Sequence, residues 1–177
     1  MSRIRITGGE WRSRLVQVTD APGLRPTPDR VRETLFNWLG QDLDGLACLD
    51  LFAGSGILGF EAASRGAAYV ALVERAKEPF AALKRNAAAL ASPRVELFCC
   101  DAVKFAPPAG RRFDVVFLDP PYGQGWLDRI CPRLDELATP DARLYAEAET
   151  PLARLGNWSV VRSGRAGQVF YHLLEQA

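Results

Sequence analysis

Residues 119–123 read Asp-Pro-Pro-Tyr-Gly, directly after the apolar run Phe113–Leu118. Two successive prolines fix φ and remove two backbone donors. The residue ahead of each is pushed toward extended geometry. A buried strand that runs into such a turn can hold one carboxylate and one flat ring in a fixed relation. Asp119 and the carbonyl of Pro120 accept N–H bonds, Pro121 stiffens the turn, and Tyr122 offers a stacking face. That combination suits a planar target bearing an exocyclic amine. Taken alone, the same residues are also a turn-forming Asx and a packing aromatic.

A second constellation lies upstream. Leu49-Asp-Leu-Phe-Ala-Gly-Ser-Gly-Ile-Leu-Gly59 sets Gly54, Gly56 and Gly59 as G-x-G-x-x-G after an apolar strand, and Glu74 follows Gly54 by 20 residues. Glycines allow a tight turn and close backbone approach, and an acid at the next strand end reaches ribose hydroxyls. Phe52, Ala53 and Ser55 complete the turn, Arg75 follows the acid, and Asp119 joins these as a candidate cofactor contact. The pattern indicates an adenosine-containing cofactor. Asp50, just before the turn, repels a pyrophosphate and attracts the ammonium and sulfonium of S-adenosylmethionine. Asp101, followed by Ala102, can accept a bond from an adenine amino group. It can equally cap a helix over 102–106, and the two roles are compatible.

The elements that must position these residues are legible from periodicity. Residues 3–6 and 14–18 read as two short strands around Gly8-Gly9. Thr27 is suited to an N-cap and Pro28 to the first helical position. Val31, Leu35, Trp38 and Leu39 then form one apolar stripe. Apolar strands are expected at 46–52, 68–74, 94–99, 113–118 and 143–147, with helices at 54–65, 76–91 and 126–137. A final pair at 159–162 and 168–174, joined by a short glycine turn, reads as antiparallel. The expected class is α/β, with a mainly parallel sheet covered on both faces and an antiparallel C-terminal hairpin.

The chain has 177 residues, which points to one domain with a short appendage. The expected division is a basic arm at 1–24 and a main domain at 25–177. Residues 1–32 hold seven arginines against three acids, a net of +4, on a body of net −3. A basic arm on a mildly acidic body suggests a polyanionic partner. Arg12, Arg25, Arg30 and Arg32 are the candidates for phosphate or base contacts. The four cysteines form no C-x-x-C pair and His172 is the only histidine, which argues against zinc. No apolar run reaches the ~20 residues of a bilayer span, and the N-terminus has no signal-peptide core. A cytoplasmic protein is expected.

Asp50-Leu-Phe-Ala-Gly-Ser-Gly56, Glu74, Asp101 and Asp119-Pro-Pro-Tyr122 together resemble a class I S-adenosylmethionine-dependent methyltransferase of the amino-methylating kind. Arg5-Ile-Thr-Gly-Gly-Glu-Trp-Arg12 and the stretch Leu24–Leu39 resemble the RsmD family, which methylates N2 of a guanine in 16S ribosomal RNA. The likeness covers nearly the whole chain. It departs at Pro28, where the family usually has a second threonine. The resemblance implies a Rossmann-like methyltransferase fold and S-adenosylmethionine as cofactor. It implies 16S rRNA, within the 30S subunit or an assembly intermediate, as partner, and places Thr27 near the site, among the RNA contacts. No metal, membrane or second copy is expected. Three other readings stay open. One is a DNA adenine or cytosine amino-methyltransferase, or a methyltransferase for another RNA guanine. The second is a nicotinamide-dependent oxidoreductase, which leaves Asp50 and the Pro-Pro turn unexplained. The third is a non-catalytic RNA-binding module.

Overall fold

The computed structural model describes residues 2–19 and 26–177. Strands β1 (Ser2–Arg5) and β2 (Leu15–Val18) pair antiparallel, Arg3 opposite Gln17, as the N-terminal pattern leads one to expect. Ile6, Trp11 and Val16 are buried in the main core. Helix α1 (Asp29–Leu39) buries Val31, Leu35 and Leu39. Its cap is Pro28, with ψ 151, and not Thr27. The threonine is thereby freed for another role.

Strand β3 (Ala47–Asp50), helix α2 (Ile57–Ser64), strand β4 (Tyr69–Val73), helix α3 (Lys77–Leu90), strand β5 (Val95–Phe98) and strand β6 (Phe113–Leu118) follow in the expected alternation. The helix expected over 126–137 is divided into α4 (Trp126–Ile130), a 3-10 turn and α5 (Leu134–Leu137). Pro132 sits in that turn and has no amide to donate. Strand β7 (Ala138–Ala148) is longer than its apolar centre suggested. Strands β8 (Arg154–Leu155), β9 (Trp158–Ala166) and β10 (Val169–Gln176) complete the chain.

Eight strands form one sheet in the order β5-β4-β3-β6-β7-β10-β9-β8. The β5-to-β7 half is parallel and the β10-β9-β8 half antiparallel. The chain moves outward from β3 to β5, then returns to β6 on the other flank of β3. A crevice therefore opens at the carboxyl ends of β3 and β6, where such sheets bind ligands. One apolar layer holds the arm, α1, α2 and α3 against the sheet; the other is built on Phe105, Ile130, Leu134 and Trp158. No helix among the described residues is long and apolar enough to cross a membrane.

Every residue of α2 is buried, including Glu61. A buried acid needs partners. Glu61 accepts from Arg32 Nη1 at 2.5 Å, Arg65 Nη1 at 2.7 Å, Thr7 Oγ1 at 2.9 Å and the Thr7 amide at 3.0 Å. Arg32 donates further to the carbonyls of Arg5 (2.7 Å) and Thr27 (3.0 Å) and pairs with Asp29. This corrects the expectation that Arg32 grips RNA: its side chain is wholly buried and its donors are committed inside the protein. The residue pins the arm and the 26–28 segment to α2.

His172 on β10 is buried between Ala146 and the segment after β7. Its Nε2 accepts from the Leu152 amide at 3.0 Å, and its Nδ1 lies 3.0 Å from the Ala146 carbonyl. Those contacts need the neutral ring, and burial lowers its pKa below the ordinary 6.5. The unfolded chain takes up the proton first as pH falls, so this site's contribution is present above pH 6.5 and declines below it, until the lower folded pKa is passed. Buried Asp50, whose pKa is raised to about 7, works in the opposite direction. The informative measurement is therefore the difference between wild type and His172→Gln. Urea midpoints at pH 7.5 and 5.5 should show the larger acid loss in wild type; equal losses would remove the histidine from the pH response.

Candidate active site

The glycine turn leaves β3 at Asp50 and enters α2 at Gly56. Gly56 has φ +90°, and a Cβ there would fall 2.4 Å from Phe60 and 2.5 Å from Leu83. Gly59 is required for contact between layers, since a Cβ would lie 2.0 Å from Leu72 Cδ2. Glu74 braces the turn from the next strand end: the Gly54 amide donates to Oε1 at 2.9 Å and the Ala76 amide to Oε2 at 2.8 Å. Asp101 accepts from the Val103 amide at 2.8 Å and caps a short 3-10 helix at 102–104. Its other oxygen faces exposed Arg75 at 3.8 Å. Ala102 is buried behind it. Phe52 packs edge-on against Trp126, ring centres 5.4 Å apart, and the Arg75 guanidinium lies 5.4 Å from the same indole.

Asp50 accepts from the Phe52 amide at 3.2 Å. Its burial, with Glu74 and Glu147 nearby, holds its pKa at about 7. Asp119 stands at the end of β6, the neighbouring strand. Burial, then the charges of Glu147 and Asp50, push its pKa well above the ordinary 3.8. The Thr27 hydroxyl lies 3.2 Å from Asp119 Oδ2 and 3.0 Å from Glu147 Oε2. Pro120 is buried beneath the turn, whereas Pro121 and Tyr122 are exposed, the tyrosine by 48%. A cavity of about 80 Å³ joins the two regions, lined among others by Thr27, Asp50, Phe52, Ala53, Gly54, Ser55 and Asp119.

The sheet thus brings Asp50, Glu74, Asp101 and Asp119 to one edge, as the strand-end spacing predicts. Glu147 was missed. The available signal was an acid near the end of the otherwise apolar run 142–148, on the strand next to the one carrying Asp119. Thr27 was grouped with the RNA contacts. It is buried, and its hydroxyl faces the two acids instead. Arg12 and Arg30 are exposed; Arg12 lines a groove of about 490 Å³ with Thr7, Glu33 and Asn37. Arg25 lies outside the described residues.

Asp50, Asp119 and Glu147 are three carboxyls with no lysine or arginine ion-paired to them among the described residues. Such a cluster suits a cationic ligand, whose charge would offset the repulsion and burial that favour protonation of Asp50 and Asp119.

A family model described as Conserved hypothetical protein 95 matches residues 4–175. Ribosomal RNA small subunit methyltransferase D of Escherichia coli K12 is 42% identical over 98% of this chain and 90% of its own. The Haemophilus influenzae protein of the same name is 41% identical, covering 97% and 93% respectively. The solved structure of yhhF, a methyltransferase candidate from Escherichia coli, superposes with a TM-score of 0.86 at 39% identity, covering 99% of this chain and 98% of that one.

Proposed function

The chain belongs to the Conserved hypothetical protein 95 family, the RsmD family, and from that membership we propose that it methylates the N2 amine of a guanine in 16S ribosomal RNA with S-adenosylmethionine. The observation that carries the reading is the juxtaposition of two regions across one cavity: a glycine turn beside a cation-poor carboxyl cluster, and the rigid Asp119–Tyr122 turn. The first region fits the methyl donor. Glu74 and Asp101 would hold its adenosine part, and Asp50 its positive charge. When bound, the donor supplies a methyl group on a sulfonium, already electrophilic.

The chain's own task is to present the amine. Asp119 and the Pro120 carbonyl accept its two N–H bonds and leave the nitrogen lone pair aimed at the donor. Tyr122 stacks on the base, a contact worth about 1–3 kcal/mol in single-strand recognition. The base must be unpaired or extruded to enter. Orientation of this kind lowers barriers by roughly 7–11 kcal/mol in the best intramolecular cases. Exposed Arg12 and Arg30 are the remaining described candidates to hold RNA phosphates. The expected setting is the cytoplasm, on small subunits or their assembly intermediates.

The test uses the whole protein with methyl-labelled S-adenosylmethionine and small subunits lacking the modification. Label should appear as N2-methylguanosine in 16S rRNA. Free 16S rRNA and a DNA duplex run in parallel; label in the DNA and none in rRNA would replace this reading with a DNA amino-methyltransferase.

A further inference from the structure

Thr27, Asp119 and Glu147 come from three separate parts of the chain and meet in one hydrogen-bonded group. The threonine hydroxyl carries a single proton yet lies within hydrogen-bond distance of both acids, 3.2 Å from Asp119 Oδ2 and 3.0 Å from Glu147 Oε2. It can donate to one of them only. The other oxygen contact is satisfied when a carboxyl of the group is itself protonated and donates. Glu147 is 5% exposed and Thr27 4%, so water reaches the group only from the Asp119 side and does little to relieve two adjacent negative charges.

We propose that Glu147 is a positioning residue for Asp119: the Thr27 hydroxyl ties the two carboxyls into one unit that binds a proton between them, and this unit takes up the proton released by the methylated amine. The proposal rests on the methyltransferase reading above and adds to it a role for a residue that touches no reacting atom. The balance is simple. The amine nitrogen forms its new bond to carbon with its lone pair, the carbon–sulfur bond breaks onto sulfur, and one N–H proton passes to Asp119. A lone, solvated carboxylate is a weak acceptor at neutral pH. A second carboxyl held against it raises the affinity of the pair for a proton, which brings the transfer closer to balance. Asp119 is only half-buried, so the proton can leave to solvent after product departs.

Among the described residues, charged and titratable groups face this unit from several elements. Asp50 faces Asp119 from β3, with Glu74 behind it. Tyr145 lies on β7, on the same face as Glu147; its hydroxyl is buried without a hydrogen-bond partner among the described residues. Its pKa is raised first by burial and then by Glu147, Asp119 and Tyr171. No cation among the described residues pairs with either carboxyl.

The test reads carboxyl titrations in the whole protein labelled with ¹³C at Asp and Glu side-chain carbons, beside single-turnover methyl transfer to small subunits as a function of pH. In wild type Asp119 should lose its proton well above the ordinary carboxylate range. Glu147→Gln keeps the shape and a hydrogen bond to Thr27 but removes the second charge. Asp119 should then titrate lower by at least about one pH unit, and the acid limb of the rate profile should move down with it. Thr27→Val removes a bond that favours ionised Asp119, so both should move up. Residues with only a packing role would lower the rate without moving the limb. Asp119 titrating in the ordinary range in wild type, or at the same pH in Glu147→Gln, would overturn the proposal. A coupled titration in a wild-type protein that methylates no rRNA would overturn the pair's role as proton acceptor together with the functional reading.

Discussion

Replacing Asp119 with alanine should leave S-adenosylmethionine binding largely intact and lower turnover about 10²–10⁴-fold, the usual range for a lost proton acceptor. The proposed cradle for the donor is built mainly from the glycine turn, Glu74 and Asp101, all on β3 to β5 and their loops. Asp119 follows the next strand, β6, and on the proposed reading faces the amine. Alanine also removes one of three crowded carboxyls, and relief of that repulsion means thermal stability should not fall. Asp119→Asn keeps an acceptor oxygen for the amine but no base, and should fall between wild type and alanine. Donor affinity by calorimetry and single-turnover rates separate the two roles. A wild-type rate in Asp119→Ala would take this residue out of the mechanism.

Replacing Glu61 with alanine should destabilise the protein by about 3–5 kcal/mol, because two buried arginines lose their shared partner. Arg32 and Arg65 have side-chain exposures of 0% and 2%, so neither can turn to water without unpacking the arm. For a chain of this size that is a fall in melting temperature of order 10 °C. The Thr7 amide would lose its acceptor as well. Glu61→Gln retains acceptor oxygen and should cost less. Because Arg32 also holds the Thr27 carbonyl, Glu61→Ala should slow methyl transfer even at temperatures where it remains folded. A melting temperature within 2 °C of wild type, a threshold of about 1 kcal/mol at this size, would show that the arginines find other partners.

Most of the sheet was readable because its strands are short apolar runs ending in an acid or a turn. Where elements were misjudged, local chemistry explains the difference. The helix expected from Gly54 starts at Ile57, since the glycine turn holds left-handed backbone at Gly54 and Gly56. The Thr27–Pro28 pair has the composition of a helix start, but the threonine is drawn to two acids far along the chain. Arg32 could not be told from Arg30 by residue type. One is buried and the other exposed because α1 turns only the former toward Glu61. Periodicity reports which faces are apolar; it does not say which charged side chains will find a buried partner in another element. Glu147 was hidden for the same reason.

The two halves of the site differ in how far apart their pieces lie along the chain. The proposed pocket for the methyl donor draws mainly on one stretch, residues 50–101, with Thr27 and Asp119 at its wall. The proposed clamp for the amine joins Thr27 to Asp119 and Glu147 across separations of 92 and 120 residues. On the proposed reading, methyl transfer reports that these three distant parts of the chain have closed on one another.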